Sequence, residues 1–383
     1  MKQWSSSRAR SFAALLARPR GCGTDEERWA AAQVRGAFRE AGLETTEEFF
    51  HFRPAGDLCV RVILALALAS LALVWAGLWL PWLAVAGFAG LALLALGGPA
   101  LSTAILMKRA NAARESEAPA RGWVRASNVI ARAPGPAGSP LLVFVAHFDS
   151  KSQNMPITVR VALFALLGAA GIVATQLVFL RLWLGAPPLA AIHTCFAVAL
   201  AAALPLLALR TGNVSPGALD NACGVATLVE LARVWRDNPL SWKARAIFLA
   251  PSAEEHGLVG SRLWVARHAA ELLAEPKCRV LNLDGCAAKG EMLVLPGKGV
   301  VAEALVAAAK AASLPVRRIP LGVGLLADHV PFVEAGIPCA SLLARGRGTS
   351  RIHTTGDSAD LLDDAGFEAA GKVVLGAVER LIG

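Results

Sequence analysis

Two apolar blocks interrupt this 383-residue chain and limit what the rest of it can fold into. The first runs from Val62 to Met107, broken at Leu80-Pro81-Trp82, and the second from Val161 to Leu209, broken at Gly185-Ala-Pro-Pro188. Each is long enough for two membrane-spanning helices of about 20 residues joined by a tight turn. Trp75, Trp79 and Trp82 crowd the first turn and Trp183 precedes the second, as expected of aromatic residues at a membrane interface. A mean hydropathy of +0.50, with only 17% charged residues, is too apolar for an ordinary soluble enzyme of this length. Buried core hairpins are the plainer alternative, but a soluble core rarely holds such long stretches with so little charge. Any globular domain here must therefore be assembled from segments that flank two hairpins.

Charge orients the hairpins. Residues 1–61 carry ten Lys or Arg and residues 108–160 carry eight, whereas the turns carry almost none, Arg181 being the nearest. The positive-inside rule then places the N-terminus and the globular domain on the cytoplasmic side of a cell membrane. The first 20 residues do not read as a secretory signal, because Arg8, Arg10, Arg18 and Arg20 surround a short apolar stretch with no convincing cleavage site. The net charge of +9 sits largely beside the apolar spans, where it would meet anionic lipid of the bilayer. No basic block with interleaved aromatics suggests nucleic acid as a partner. Seven scattered cysteines without a Cys-x-x-Cys pair suit free thiols in a reducing compartment, so labelling of Cys278 or Cys339 should report which side the domain faces.

Five candidate metal ligands recur in fixed order, each in a short motif. They are His147 in Val145-Ala-His-Phe-Asp149, Asp220 in Ala218-Leu-Asp-Asn-Ala-Cys-Gly224, Glu255 in Ser252-Ala-Glu-Glu-His256, Asp284 in Leu281-Asn-Leu-Asp-Gly285 and His353 in Arg351-Ile-His-Thr-Thr-Gly-Asp357. Two imidazoles and three carboxylates can hold a pair of zinc ions with one carboxylate bridging. Glu254 lies beside a ligand, where a general base is wanted. Adjacent carboxylates suit that division, because neighbours leaving a strand point in different directions.

These motifs, with Ala327-Asp-His-Val-Pro-Phe332 and Gly336-Ile-Pro338, resemble the co-catalytic zinc aminopeptidases, metallopeptidase family twenty-eight. The resemblance covers roughly residues 120–158 and 211–383. It implies that Asp220 bridges two zinc ions, that His147 and Asp284 complete one site, and that Glu255 and His353 complete the other. Glu254 would take the proton from the attacking water and pass it to the leaving amine of a peptide substrate. Asp149 could fix the tautomer of His147 and Asp357 could serve similarly near His353, although a loop carboxylate and a turn residue are the plainer readings. Asp328 and His329 are expected to support the site without binding metal, and His193 reads as a helix-packing residue. Two departures stand out. Ile352 occupies a position where many members carry a Tyr suited to the oxyanion, and the chain has no Tyr at all; and 72 residues lie between His147 and Asp220, most of them the second hairpin. That hairpin would then leave and re-enter the domain at the rim of the site, holding its mouth near the bilayer.

Alternation of short apolar runs with helical periods argues for an α/β fold: a three-layer sandwich around a mixed, mostly parallel sheet, plus four transmembrane helices in two hairpins. Strands are expected over Gly122–Ala131, Leu141–Ala146, Lys243–Ala250, Cys278–Leu283, Met292–Pro296, Val316–Ile319 and Cys339–Leu343. Helices are expected over residues 24–41, opened by a Thr24–Glu27 capping box, and over Ala218–Trp235, Leu258–Leu273, Ala302–Ala312 and Leu361–Ile382. The layout is an N-terminal helical segment at 1–61, hairpins at 62–107 and 161–210, and a peptidase domain from 108–160 and 211–383. The function expected is a membrane-anchored two-zinc exopeptidase, most simply an aminopeptidase acting on short peptides. A non-catalytic membrane receptor or scaffold and a glutaminyl-cyclase-like enzyme are the competing readings. Oligomeric state leaves no mark on the sequence.

Overall fold

A computed structural model describes residues 4–237, 243–319 and 327–383. The chain separates into two compact units: one of Met1–Pro54, Ala110–Ser152 and Gly212–Gly383, the other of Ala55–Arg109 and Gln153–Thr211.

The first unit is built on a nine-stranded sheet. Its strands are β1 (Glu44–Phe52), β2 (Ala110–Ala112), β3 (Val124–Ala133), β4 (Leu141–Val145), β5 (Arg245–Ala250), β6 (Cys278–Leu283), β7 (Gly290–Pro296), β8 (Val316–Arg318) and β9 (Cys339–Gly346). Their order across the sheet is β8-β7-β9-β6-β4-β5-β3-β1-β2. The centre, β9-β6-β4-β5, is parallel, and β8 is parallel to β7. Antiparallel pairs join β7 to β9, β3 to β5, and β1 to both β3 and β2, so the sheet is mixed with its parallel part in the middle. Central strands are continuous apolar runs because both faces are covered. Leu142 and Phe144 of β4 join a core shared with helices Ser6–Leu16, Asp25–Glu40, Cys223–Asp237, Val301–Ala311 and Asp364–Ile382. Leu141, Val143 and Val145 face the opposite core, shared with Val259–Ala274 and the short helix Val330–Glu334. Three layers result.

The N-terminal segment, expected at 1–61 as a helical stretch, also contributes a strand. Its two helices and strand β1 belong to the first unit. Glu230, itself wholly buried, anchors the first helix by accepting from Ser5 N (2.8 Å) and from Arg8 Nε (2.8 Å) and Nη2 (2.5 Å). The second helix is capped as anticipated by Thr24, whose hydroxyl accepts from Glu27 N at 3.2 Å. Glu27 does not close the box. Its carboxylate accepts instead from Gly23 N (3.2 Å) and the Ser252 hydroxyl (2.7 Å), and it is 1% exposed.

Burial pushes the Glu27 carboxyl from its ordinary 4.5 up to about 7. The folded state therefore holds this proton to higher pH than the unfolded chain. Stability present below about pH 4.5 is lost as pH rises through 7, by about 3 kcal/mol. Glu27→Gln removes the titration but cannot accept both donors, which offsets part of the gain. The variant should raise the thermal midpoint by about 3 °C at pH 8 and lower it slightly at pH 4.5, where only the lost acceptor counts. Equal changes at both pH values would exclude Glu27 as the titrating group.

The second unit holds four helices, Gly56–Ala76, Pro81–Lys108, Ile157–Leu184 and Leu189–Leu207. Each is long and apolar enough to cross a membrane. The first and third begin before the apolar blocks, at Gly56 and Ile157, so each extends beyond the span read from sequence. Their outward faces are apolar: Leu96 is 85% and Trp183 86% exposed. A Cβ on Gly87 would lie 2.4 Å from Ser70 O, so only glycine allows the first two helices their close approach.

Candidate metal centre

Parallel strands β4, β5 and β6 run in register, Val145 facing both Leu249 and Asn282, so their carboxyl ends share one edge. Open α/β sheets bind ligands beyond that edge. His147 follows β4 by two residues, Glu254 and Glu255 follow β5, and Asp284 directly follows β6. Asp220 arrives from a wide turn at Ala218–Ala222, where Asp220 and Asn221 leave helical geometry before the regular helix begins at Cys223. The peptide between them is cis. His353 sits at φ 65°, in the left-handed region a non-glycine residue rarely occupies, at a cost of about 1–3 kcal/mol.

Asp220 stands between the two imidazoles. Its Oδ1 is 3.2 Å from His147 Nε2 and its Oδ2 is 2.9 Å from His353 Nε2. His147 Nε2 also lies 3.8 Å from Asp284 and 3.9 Å from Glu254, and His353 Nε2 lies 3.3 Å from Glu255 Oε1. Among the described residues, His147, Glu254 and Asp284 form one trio of possible metal donors and Asp220, Glu255 and His353 a second. The first trio includes Glu254 rather than Asp220, yet Asp220 is the carboxylate nearest His147. Both ring nitrogens of His147 are buried and make no hydrogen bond. A donor set of two imidazoles and several converging carboxylates fits a pair of borderline divalent cations such as zinc.

The surroundings hold these candidate ligands through their backbone. Asp149 accepts from the amides of Glu254 (3.2 Å) and Glu255 (3.3 Å), and its 3.5 Å approach to His147 Nδ1 is too long for a hydrogen bond. Asp357 accepts from Leu219 N (2.7 Å) and Asp220 N (3.2 Å), so it steadies the Asp220 segment rather than His353. Lys151, which sequence reasoning passed over, donates to Glu255 Oε2 (2.7 Å) and Glu255 O (3.1 Å), leaving Oε1 toward His353. Nothing in the local sequence marks it; only the fold brings it to Glu255.

Electrostatics follow from crowding. Burial raises Glu254 well above the usual carboxylate range, and Glu255, Asp328 and Asp284 add to this against the opposing His147. Burial would raise Glu255 too, but Lys151 and His353 hold it down at about 2. Burial would raise Asp220, but the two adjacent histidines outweigh it and keep it well below its ordinary value. Burial alone would lower the histidines; the carboxylates outweigh it, led by Glu254 at His147 and by Glu255 at His353, which rises to about 9. Asp328 is wholly buried, lies within electrostatic reach of His147, Asp149 and Asp284, and is pushed by burial to about 7. His329 shares a 2.7 Å hydrogen bond with Ser341 and is lowered by burial to about 4. Neither joins a donor trio. His193 lies on the fourth apolar helix, with its ring 6.2 Å from that of Trp75.

Residues 198–378 match peptidase family M28, a region holding Asp220, Glu254, Glu255, Asp284 and His353 but not His147. The aminopeptidase YwaD of Bacillus subtilis (strain 168) is 32% identical over 179 residues, 44% of this chain; the chain spans 38% of that relative's length. An aminopeptidase from Aneurinibacillus sp. strain AM-1 shares the fold with a TM-score of 0.59 at 15% identity, over 98% of this chain and 94% of that one. A glutaminyl cyclase from an Acidobacteriales bacterium does so at 0.58 and 15% identity, over 100% of this chain and 96% of that one. The sequence match thus marks residues 198–378 as similar to peptidase family M28, on a fold that aminopeptidases share.

Proposed function

We propose that this chain is a membrane-anchored two-zinc exopeptidase, an aminopeptidase that removes N-terminal residues from short peptides. The observation that carries it is Asp220, which offers one carboxylate oxygen to each imidazole at 3.2 and 2.9 Å. Asp220 would bridge the ions, His147 and Asp284 would complete one site, and Glu255 and His353 the other. When bound, such a pair polarises a peptide carbonyl and acidifies water. The residues of the chain supply the rest. Glu254, pushed upward by burial, accepts a proton from the attacking water and returns it to the leaving amine. Asp149 fixes the backbone of Glu254 and Glu255, Asp357 fixes that of Asp220, and Lys151 presents one oxygen of Glu255. Peptide is the substrate, as it is for the aminopeptidase relative, and retention of Glu254 beside all five candidate ligands speaks against a scaffold.

Elemental analysis of purified full-length protein should find two zinc ions per chain, and a panel of aminoacyl amides and short peptides should be cut from the N-terminal end. Full activity with a single ion would remove the two-metal reading. Cyclisation of N-terminal glutamine without hydrolysis would replace the aminopeptidase by the cyclase reading.

The peptidase unit is proposed to face the cytoplasm, on the charge asymmetry of the segments flanking the four apolar helices. Native thiols are poor reporters of this, because Cys278 and Cys339 are buried and burial pushes them up to about 12 and about 11. An introduced cysteine at the exposed Glu117 serves instead. Glu117→Cys should react with an impermeant maleimide only after permeabilisation; labelling in intact cells would reverse the orientation.

A further inference from the structure

Arg20 lies outside every motif that points to the metal centre, yet it is wholly buried against it. Its Nε donates to Phe148 O at 2.8 Å. Its Nη1 donates to Pro216 O (2.6 Å), Leu16 O (2.6 Å) and Arg18 O (3.0 Å), and its Nη2 to Gly217 O (3.0 Å). The backbone repeats the link: Arg20 N donates to Ser150 Oγ (2.9 Å), and Ser150 N donates to Arg20 O (3.3 Å). Phe148 directly follows His147, and Gly217 precedes Asp220 by three residues. Between those two segments the chain departs to build part of the other unit. No covalent path shorter than that detour ties His147 to Asp220, whereas one guanidinium touches both flanks. The packing leaves no slack: a Cβ on Gly217, at φ 61°, would meet Asp220 O at 2.5 Å, Ser150 Cβ at 2.7 Å and Arg20 Nη2 at 3.1 Å.

We propose that Arg20 is a positioning residue of the metal centre, fastening the His147 segment to the Asp220 segment and setting the separation of those two ligands. The chemistry selects arginine. Five N–H donors in a rigid planar fork can serve carbonyls from several segments at once, and an ammonium with three donors cannot reproduce that geometry. Its charge also faces Asp149, Asp357, Asp220 and Glu255, part of the acid excess that the centre concentrates. Loss of the fork leaves buried carbonyls without partners and frees the two segments to move apart.

This rests on the two-metal reading above, and its test begins with wild-type full-length protein. A wild type without bound zinc and without turnover removes that reading and this inference with it, before any variant is made. Given an active wild type, Arg20→Lys and Arg20→Ala are compared by zinc retention against a competing chelator, by kcat and KM, and by thermal midpoint. Arg20→Lys is expected to fold, to hold zinc about 10–100-fold more weakly, and to lose about 10²-fold in kcat with KM little changed. Low concentrations of guanidinium should restore part of both in Arg20→Ala and nothing in the wild type; if that variant does not fold, Arg20→Lys decides alone. A folded variant whose midpoint falls while zinc retention and kcat stay at wild-type values reduces Arg20 to a structural clamp and overturns the proposal.

Discussion

Glu254→Gln is expected to retain zinc like the wild-type chain and to lose hydrolysis by about 10³–10⁴-fold. An amide cannot take a proton from water or hand one to a leaving amine, and proton transfer of this kind contributes about 10²–10⁴-fold. The environment of Glu254 favours the top of that range. Burial, Glu255, Asp328 and Asp284 raise its carboxyl well above the usual value, which makes it a stronger base toward water. The variant also separates two roles. Glu254 lies 3.9 Å from His147 Nε2 and groups with His147 and Asp284 as a possible donor. If it were a ligand, the substitution would release metal along with activity. Unchanged zinc with abolished turnover assigns it to proton transfer, and turnover near wild type removes it from the mechanism.

Asp220→Asn should reduce bound zinc to one ion or fewer per chain and lower kcat/KM by about 10³-fold or more. The present carboxylate offers equivalent oxygens to His147 and His353. An asparagine keeps the shape but turns one end into an amide donor, which cannot share a cation site. Losing one ion forfeits several kcal/mol of charge stabilisation on a polarised carbonyl. Two retained ions and normal kinetics would show that Asp220 does not bridge.

The central strands were legible because they are buried on both faces and so read as short, uninterrupted apolar runs, as in Leu141–Val145. The candidate ligand motifs at His147, Glu254–Glu255 and Asp284 stand out because they closely follow such strands. Strand β1 was not. Its sequence, Glu44-Thr-Thr-Glu-Glu-Phe-Phe-His-Phe52, is polar over the first half, and only Phe50, His51 and Phe52 are buried. Two of its acids take partners far along the chain, Glu48 in Arg267 and His268 and Glu47 in Ser127, although Glu47 also pairs with the nearer Arg35. Arg20 read as one of four flanking arginines, since its carbonyl partners reach up to residue 217. Sequence proximity pairs Asp357 with His353, but the fold turns its carboxylate toward the amides of Leu219 and Asp220. Spacing along the chain shows which residues are close in sequence. It does not show which backbone amide a carboxylate will find across a turn.

Dividing the sheet-bearing unit into three stretches of sequence imposes a rule of parity. Strand β1 precedes the first departure of the chain and pairs with β3 beyond it; β4 precedes the second and pairs with β5 and β6 beyond it. On the proposed membrane placement, each departure must cross the bilayer an even number of times. A single missed crossing in the first would strand β1 across the membrane from β3, and one in the second would part His147 from Asp220. Ribosomal synthesis delivers both helix pairs before β5 exists, so membrane insertion is settled before the sheet can close. Sequence changes that weaken one apolar helix could thus abolish activity from far outside the metal centre, by leaving half of it on the wrong side.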